Sequence, residues 1–262
     1  MKKLKDLSCV ISFFALIFSC FVFSPFASAA MVVDGSLSDW GVTPGAYNGS
    51  QAQWAPGAGV SYISEDQNPS VDYLNPGWGG QQFDVEALYF KREADIAYFA
   101  LVTGFPITGA RGWGAGDLAI DMGSDTSYEF GVKLDSYNST ATRGNLLRNA
   151  TWSFPYYDSG PCRLLGGIDA GDPLLSDVLF GYANIGNGHY VYEYGINIAL
   201  FGAYWDAVTY WNPDFTVHWT MGCGNDALDL HVRPVLNPEP QTYFLLFVGL
   251  GLFLLYRRTR LA

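Results

Sequence analysis

The stretch EALYFKREADIAYFALVT, residues 86–103, constrains this chain more than any other part of it. Apolar residues recur with period two on both sides of Glu93-Ala94-Asp95, so 86–92 and 96–103 read as two strands of a hairpin. Centring the turn on Ala94 puts Leu88 and Phe90 on one face with Tyr98 and Ala100, and Ala87 and Tyr89 on the other with Phe99 and Leu101. Both faces are apolar. A strand pair with no polar face must be covered on both sides, which places it centrally.

Further strands are expected at 117–122, 128–134, 178–183, 190–198, 215–221 and 228–232, and the best helical candidate, 199–205, is two turns at most. Many short strands with Gly-rich turns and few helices predict an all-β fold, a β-sandwich of the jelly-roll or immunoglobulin-like type. Residues 41–82 are mostly Gly, Pro, Ser, Asn and Gln, interrupted by Trp54 and by Gly77-Trp78-Gly79-Gly80. They read as long loops laid over that scaffold.

The two ends are of a different kind. Residues 1–29 run from Lys2, Lys3 and Lys5 through an apolar stretch to Ala27-Ser28-Ala29, the order of charge, apolar core and small residues found in a signal peptide. Cleavage after Ala29 fits best, with Ala30 as the neighbouring site. An uncleaved anchor is the other reading, and Ser24-Pro25 breaks its helix just before the small residues. At the far end, 243–256 is uncharged, and as a helix it would cover about 21 Å of a hydrocarbon core near 30 Å. That is a short single transmembrane helix. Arg257, Arg258 and Arg260 would keep its end on the cytoplasmic side.

Pro238-Glu239-Pro240, one short apolar helix and a terminal arginine cluster, in that order over residues 237–262, resemble the PEP-CTERM sorting signal of Gram-negative bacteria. Asn237 and Tyr243 stand where that family often has Val and Trp. The resemblance implies an exported protein that is held briefly in the inner membrane and recognised by an exosortase near the Pro-Glu-Pro. Its implied destination is the cell surface or extracellular matrix, in association with exopolysaccharide. Signal peptidase and exosortase are then its partners during export. Val33 to Gly41, VDGSLSDWG, and GDLAIDMGSDTSYEFGVKLD, 116–135, resemble in patches the sandwich domains related to family 9 carbohydrate-binding modules. This second resemblance implies a fold more than a ligand.

Between the ends lies a body, 30–236, of single-domain length and sufficient for a sizeable core. Once the six basic and two acidic residues of the ends are set aside, 8 basic and 23 acidic residues remain, a net charge near −15. Such a surface repels phosphate backbones, so nucleic acid is not an expected partner; cations and neutral polymers are. Cys162 and Cys223 remain in an exported chain, and their even number predicts a disulfide, with two separate buried thiols as the alternative.

Three places could carry function. Taking 116–135 as a hairpin centred on Asp125, Leu118, Ile120 and Met122 face Val132, Phe130 and Tyr128, while Asp117 meets Lys133 and Asp121 lies opposite Glu129. Like charges directly opposed destabilise a strand pair, and a cation relieves the conflict. Asp121, Ser124, Asp125, Ser127 and Glu129 are therefore candidate calcium ligands, set against the plainer reading of a solvated acidic turn. The second place is Asp34-Gly35-Ser36-Leu37-Ser38-Asp39-Trp40, either a ligand site or a tight turn that tucks Trp40 under the sheets; the turn is preferred. The third is a pair of tryptophans between loop glycines, Trp78 and Trp113, candidate platforms for a sugar ring; Trp152, Trp205, Trp211 and Trp219 read as core or strand residues.

No catalytic residues are assigned. His189, His218 and His231 fall in strand-like settings without HExxH, and there is no G-x-S-x-G elbow. A non-catalytic surface or matrix protein is expected, with carbohydrate binding as its candidate activity. The alternatives are a calcium-stabilised matrix protein without sugar specificity and a glycan-active enzyme using a carboxylate pair.

Overall fold

The computed structural model describes residues 30–43, 51–65, 79–134, 144–155, 160–169 and 178–237, with Val248, Gly249, Gly251 and Phe253. The expected signal peptide, Trp78, Pro238-Glu239-Pro240 and Arg257, Arg258 and Arg260 lie outside them. The strands are β1 Ser61–Ser64, β2 Val85–Glu93, β3 Ile96–Thr103, β4 Leu118–Met122, β5 Phe130–Val132, β6 Leu146–Ser153, β7 Arg163–Asp169, β8 Leu179–Gly186, β9 His189–Asn197, β10 Tyr210–Asn212, β11 Phe215–Thr220, β12 Ala227–Val232 and β13 Val235–Leu236. One sheet has the order β1-β2-β3-β9-β8, a second β12-β11-β4-β5-β6-β7, and β10 pairs with β13 alone. The described pairings are antiparallel.

The 86–103 hairpin sits at the centre of the first sheet, but its register differs from the expected one by one residue. Phe90 pairs with Phe99 and Leu88 with Leu101, because the turn has two central residues and Ala94 takes φ 47°. Primed hairpin turns require such a positive φ. The shift sends Leu88, Phe90, Phe99 and Leu101 to one face together, where they join Ile120, Phe130, Phe215, Val217 and Trp219 of the second sheet in a shared core. Phe90 and Phe215 meet edge to face with ring centroids 5.0 Å apart.

The opposite face of the central hairpin, Ala87, Tyr89, Ala100 and Val102, is covered by Met31, Leu37, Trp40, Val42 and Trp54 from the N-terminal segment. Part of the Gly-rich region thus has a packing role: it closes the outer face of a sheet that is apolar on both sides. Tyr89 donates its hydroxyl proton to the Trp54 carbonyl at 2.7 Å and so ties the cover down. The expected helix over 199–205 is a 3-10 segment, Ile198–Tyr204. Asn197 caps it by accepting from the Ala199 N–H at 3.0 Å, and Gly202 interrupts it with non-helical angles.

Among the described residues no helix is long and apolar enough to cross a membrane. The four described residues of the apolar run, Val248, Gly249, Gly251 and Phe253, are helical.

Candidate functional site

The tip joining β4 to β5 brings three carboxylates together. Leu118 pairs with Val132 and Ile120 with Phe130, the register that centring on Asp125 predicts. Ligand oxygens of Asp121, Asp125 and Glu129 lie within 4.8 Å of one another. Backbone donors hold each one in place. Asp121 accepts from the N–H groups of Asp125 at 3.1 Å and Thr126 at 2.7 Å, Glu129 from Met122 at 2.9 Å, and Asp125 from Ser127 at 3.0 Å. The loop turns tightly, with Gly123, Ser124, Thr126 and Tyr128 all at positive φ. The three carboxylates supply hard oxygens of the kind calcium takes, about half of the roughly six to eight that it binds. The two serines are placed differently: the Ser127 hydroxyl donates to Asp125, while Ser124 turns toward Thr216 at 2.9 Å and Asp214 at 3.5 Å.

The same sheet face continues the acidic character. His218 on β11 is buried and its Nδ1 lies 2.8 Å from Asp229 on β12, its direct cross-strand partner. Tyr128 packs on the His218 ring with centroids 5.7 Å apart. Burial, aided by the charges of Asp229 and Asp121, pushes the Tyr128 hydroxyl up to about 12. Exposed His231 is 2.6 Å from Asp214, and buried His189 is 2.8 Å from Glu86. Each histidine therefore faces a carboxylate, while the buried Nε2 of His218 has no hydrogen-bond partner among the described residues.

Asp117 and Lys133 form their expected pair at 2.9 Å, but deep inside rather than on an open face, with both side chains fully buried. Trp152 and Leu164, from β6 and β7, lie over Gly131, where an added Cβ would come within 2.6 Å of the indole. Asp117 also accepts from the Leu134 and Leu164 amides. Burial still drives its carboxyl above the usual range against these donors.

Beside the acidic tip is a cleft of about 130 Å³ lined by Glu129, Phe130, Arg148, Asn149, Gly202 and Tyr204, among others. Tyr204 is 49% exposed and meets Phe130 edge to face at 5.4 Å. The cleft was hidden in the sequence because β6, which carries Arg148 and Asn149, was not expected as a strand. Trp113 is 45% exposed in its loop, as a sugar platform must be, and Trp78 is outside the described residues. Trp205 and Trp219 are buried, Trp152 covers Gly131, and Trp211 stacks on Arg92 at 4.2 Å.

The DGSLSDW segment is a structural latch. Buried Glu193 on β9 accepts from the Trp40 indole at 2.6 Å and from the amides of Asp34 and Gly35. Gly35, at φ 82°, approaches so close that a Cβ there would sit 2.7 Å from the Ala183 Cβ. Burial raises the Glu193 carboxyl, and these donors oppose the rise.

The expected Cys162–Cys223 disulfide is not formed: both are free, buried thiols. Both segments are instead stitched to the same stretch of backbone, with the Asp117 N–H donating to the Cys162 carbonyl and the Gly222 N–H to the Gly114 carbonyl. The core closes without a covalent link. Burial pushes the Cys162 thiol up to about 11 and raises that of Cys223, which leaves both poorly nucleophilic.

No protein-family model matches the chain, and neither a curated protein nor a solved structure was found to be similar to it.

Proposed function

We propose that this is an exported β-sandwich protein of the PEP-CTERM kind, sorted by an exosortase, whose body is a non-catalytic, calcium-holding component of the cell surface or extracellular matrix. The observation that carries the calcium role is the convergence of Asp121, Asp125 and Glu129 within 4.8 Å on a loop whose own amides fix them. Three carboxylates held together repel; a bound divalent cation turns that repulsion into cohesion. The delivery role rests on the two sequence ends. Signal peptidase would remove 1–29, the helix over 243–256 would hold the chain in the inner membrane, and the exosortase would act at Pro238-Glu239-Pro240.

The test of the calcium role is melting with added calcium against added chelator. At free calcium about 100-fold above its dissociation constant the gain is about 2.7 kcal/mol, roughly 5–10 °C for a body of this size. Equal melting in both conditions contradicts it.

A second reading, a carbohydrate-binding body associated with exopolysaccharide, is favoured by the cleft that shares Glu129 with the acidic tip. An exposed aromatic edge, a guanidinium, a carboxylate and an amide line it, the groups that recognise a sugar ring. Binding to a glycan array that disappears on Tyr204→Ala supports this reading. Calcium-dependent stability without any glycan binding leaves the matrix role alone.

A further inference from the structure

Leu146 and Arg148 lie two residues apart on β6 and so share a face of the second sheet. Leu146 is buried in the common core, and the alternation makes the next core-side position a guanidinium. Arg148 pairs directly with Phe130, itself buried in that core. The 3-10 segment covers Phe130, with the Phe201 ring 5.0 Å and the Tyr204 ring 5.4 Å from it. One strand further out, Arg148 stays exposed on a side of the sheet that elsewhere is core.

The next residue joins it. Asn149 takes φ 50°, and the register of β6 on β7 shifts between Arg148 and Thr151, so the strand bulges here. A regular strand would turn Asn149 to the opposite face. The bulge instead leaves 148 and 149 both exposed, and both line the cleft that Tyr204 flanks. Gly202, at φ 58°, breaks the 3-10 segment between them, so that Phe201 enters the core while Tyr204 stays half exposed at the cleft.

The polar groups gathered there are unpartnered. The Arg148 guanidinium, the Asn149 side-chain amide and the Tyr204 hydroxyl have no hydrogen-bond partner among the described residues, and no ion pair joins Arg148 to Glu129 although both line the cleft. Glu129 is engaged elsewhere, accepting from the Met122 N–H at 2.9 Å beside Asp121 and Asp125. In a body with 8 basic and 23 acidic residues, a cation without a carboxylate is set apart. Lys133 has Asp117, Lys91 has Glu93 at 2.7 Å, and Arg92 is held by the Trp211 ring and the Tyr210 carbonyl.

We propose that this cleft takes an acidic sugar residue, a uronate, with Arg148 holding its carboxylate, Asn149 and Glu129 its hydroxyls, and Tyr204 flanking its ring. The inference rests on the carbohydrate-binding reading of the body. A planar guanidinium matches a carboxylate with two parallel charge-assisted hydrogen bonds, which the hydroxymethyl group of a neutral sugar does not reproduce. Glu129 accepts from hydroxyls and repels a carboxylate, so it turns the acidic group toward Arg148. The cleft is small, and one residue of a polymer fills it.

The test uses the full chain in detergent and calcium-containing buffer, followed by ligand-observed NMR. The ligands are the methyl glycosides of glucuronic, galacturonic and mannuronic acid, each against its neutral counterpart, which carries a hydroxymethyl group in place of the carboxylate. Monomers are used because the acidic body repels a long polyanion from its whole surface. The expected result is that at least one acidic glycoside binds roughly tenfold more tightly than its neutral counterpart. Arg148→Gln, at an exposed position, melts with the parent and brings the two level, while Tyr204→Ala weakens both. Equal binding within every pair, or a preference that survives Arg148→Gln, overturns the uronate assignment and leaves the carbohydrate reading standing. No binding of any glycoside overturns both. A glutamate-rich peptide that displaces the best glycoside at equal concentration assigns the cleft to a protein carboxylate and overturns the proposal.

Discussion

Burial of charge decides much of this protein's chemistry at the scale of single residues. Asp226 lies between the two sheets, accepting from the Val85 amide of β2 at 2.8 Å and from Ala227 at 2.9 Å. Burial first, then the charges of Glu65 and Glu86, raises its carboxyl to about 8. The folded state therefore keeps a proton that the unfolded chain releases near pH 4, so stability falls as pH rises from about 4 through 8 and levels off above. Asp226→Asn removes this slope, and the variant gains on the parent by a few kcal/mol, to order of magnitude, when urea midpoints are compared at pH 8. The buried Asp117–Lys133 pair predicts the opposite sign for a different change. Lys133→Met strands a carboxylate with no room to hydrate and costs about 3–5 kcal/mol, read as a fall in melting temperature. Trp40→Phe takes one donor from buried Glu193 and costs about 1–3 kcal/mol in the same assay.

At the scale of elements, the calcium loop and the strand order make separate predictions. Asp121→Asn removes one charge from the cluster and keeps only one of the two oxygens that accept from the amides of Asp125 and Thr126, so the variant melts below the parent without calcium, by about 1–3 kcal/mol of stability, and no longer responds to calcium. Asn237→Ala removes two hydrogen bonds that hold β13, and limited proteolysis then cuts between 233 and 237 faster than in the parent. Strands with continuous alternation were legible: β2, β3, β4, β9, β11 and β12 fall within a residue or two of their expected bounds. β6 and β7 were not. LLRNATWS opens on two adjacent leucines followed by Arg148 and Asn149 and carries shifted register with Asn149 at φ 50°, and RLLGGID holds adjacent leucines and two glycines, so the alternation is broken in both. The acidic tip was legible because register and charge are both written in sequence. The neighbouring cleft was not, since Arg148 and Tyr204 meet only through long-range packing. The hairpin slip at Ala94 shows the limit in miniature: period two fixes that strands alternate, whereas a turn of two residues instead of three fixes which faces meet.

On the scale of the whole molecule, one cover segment and two antiparallel sheets with a common core form a body whose described cysteines, Cys162 and Cys223, are free thiols. In the function proposed above, the body is cargo and the ends are its address. Intact mass of the protein recovered from the native cell surface and medium, with the Pro238-Glu239-Pro240 motif present or replaced by alanines, tests it most directly. The expected result is a mature chain lacking both 1–29 and the apolar tail, with tail loss dependent on the motif. A mature chain that still carries Arg260 contradicts it.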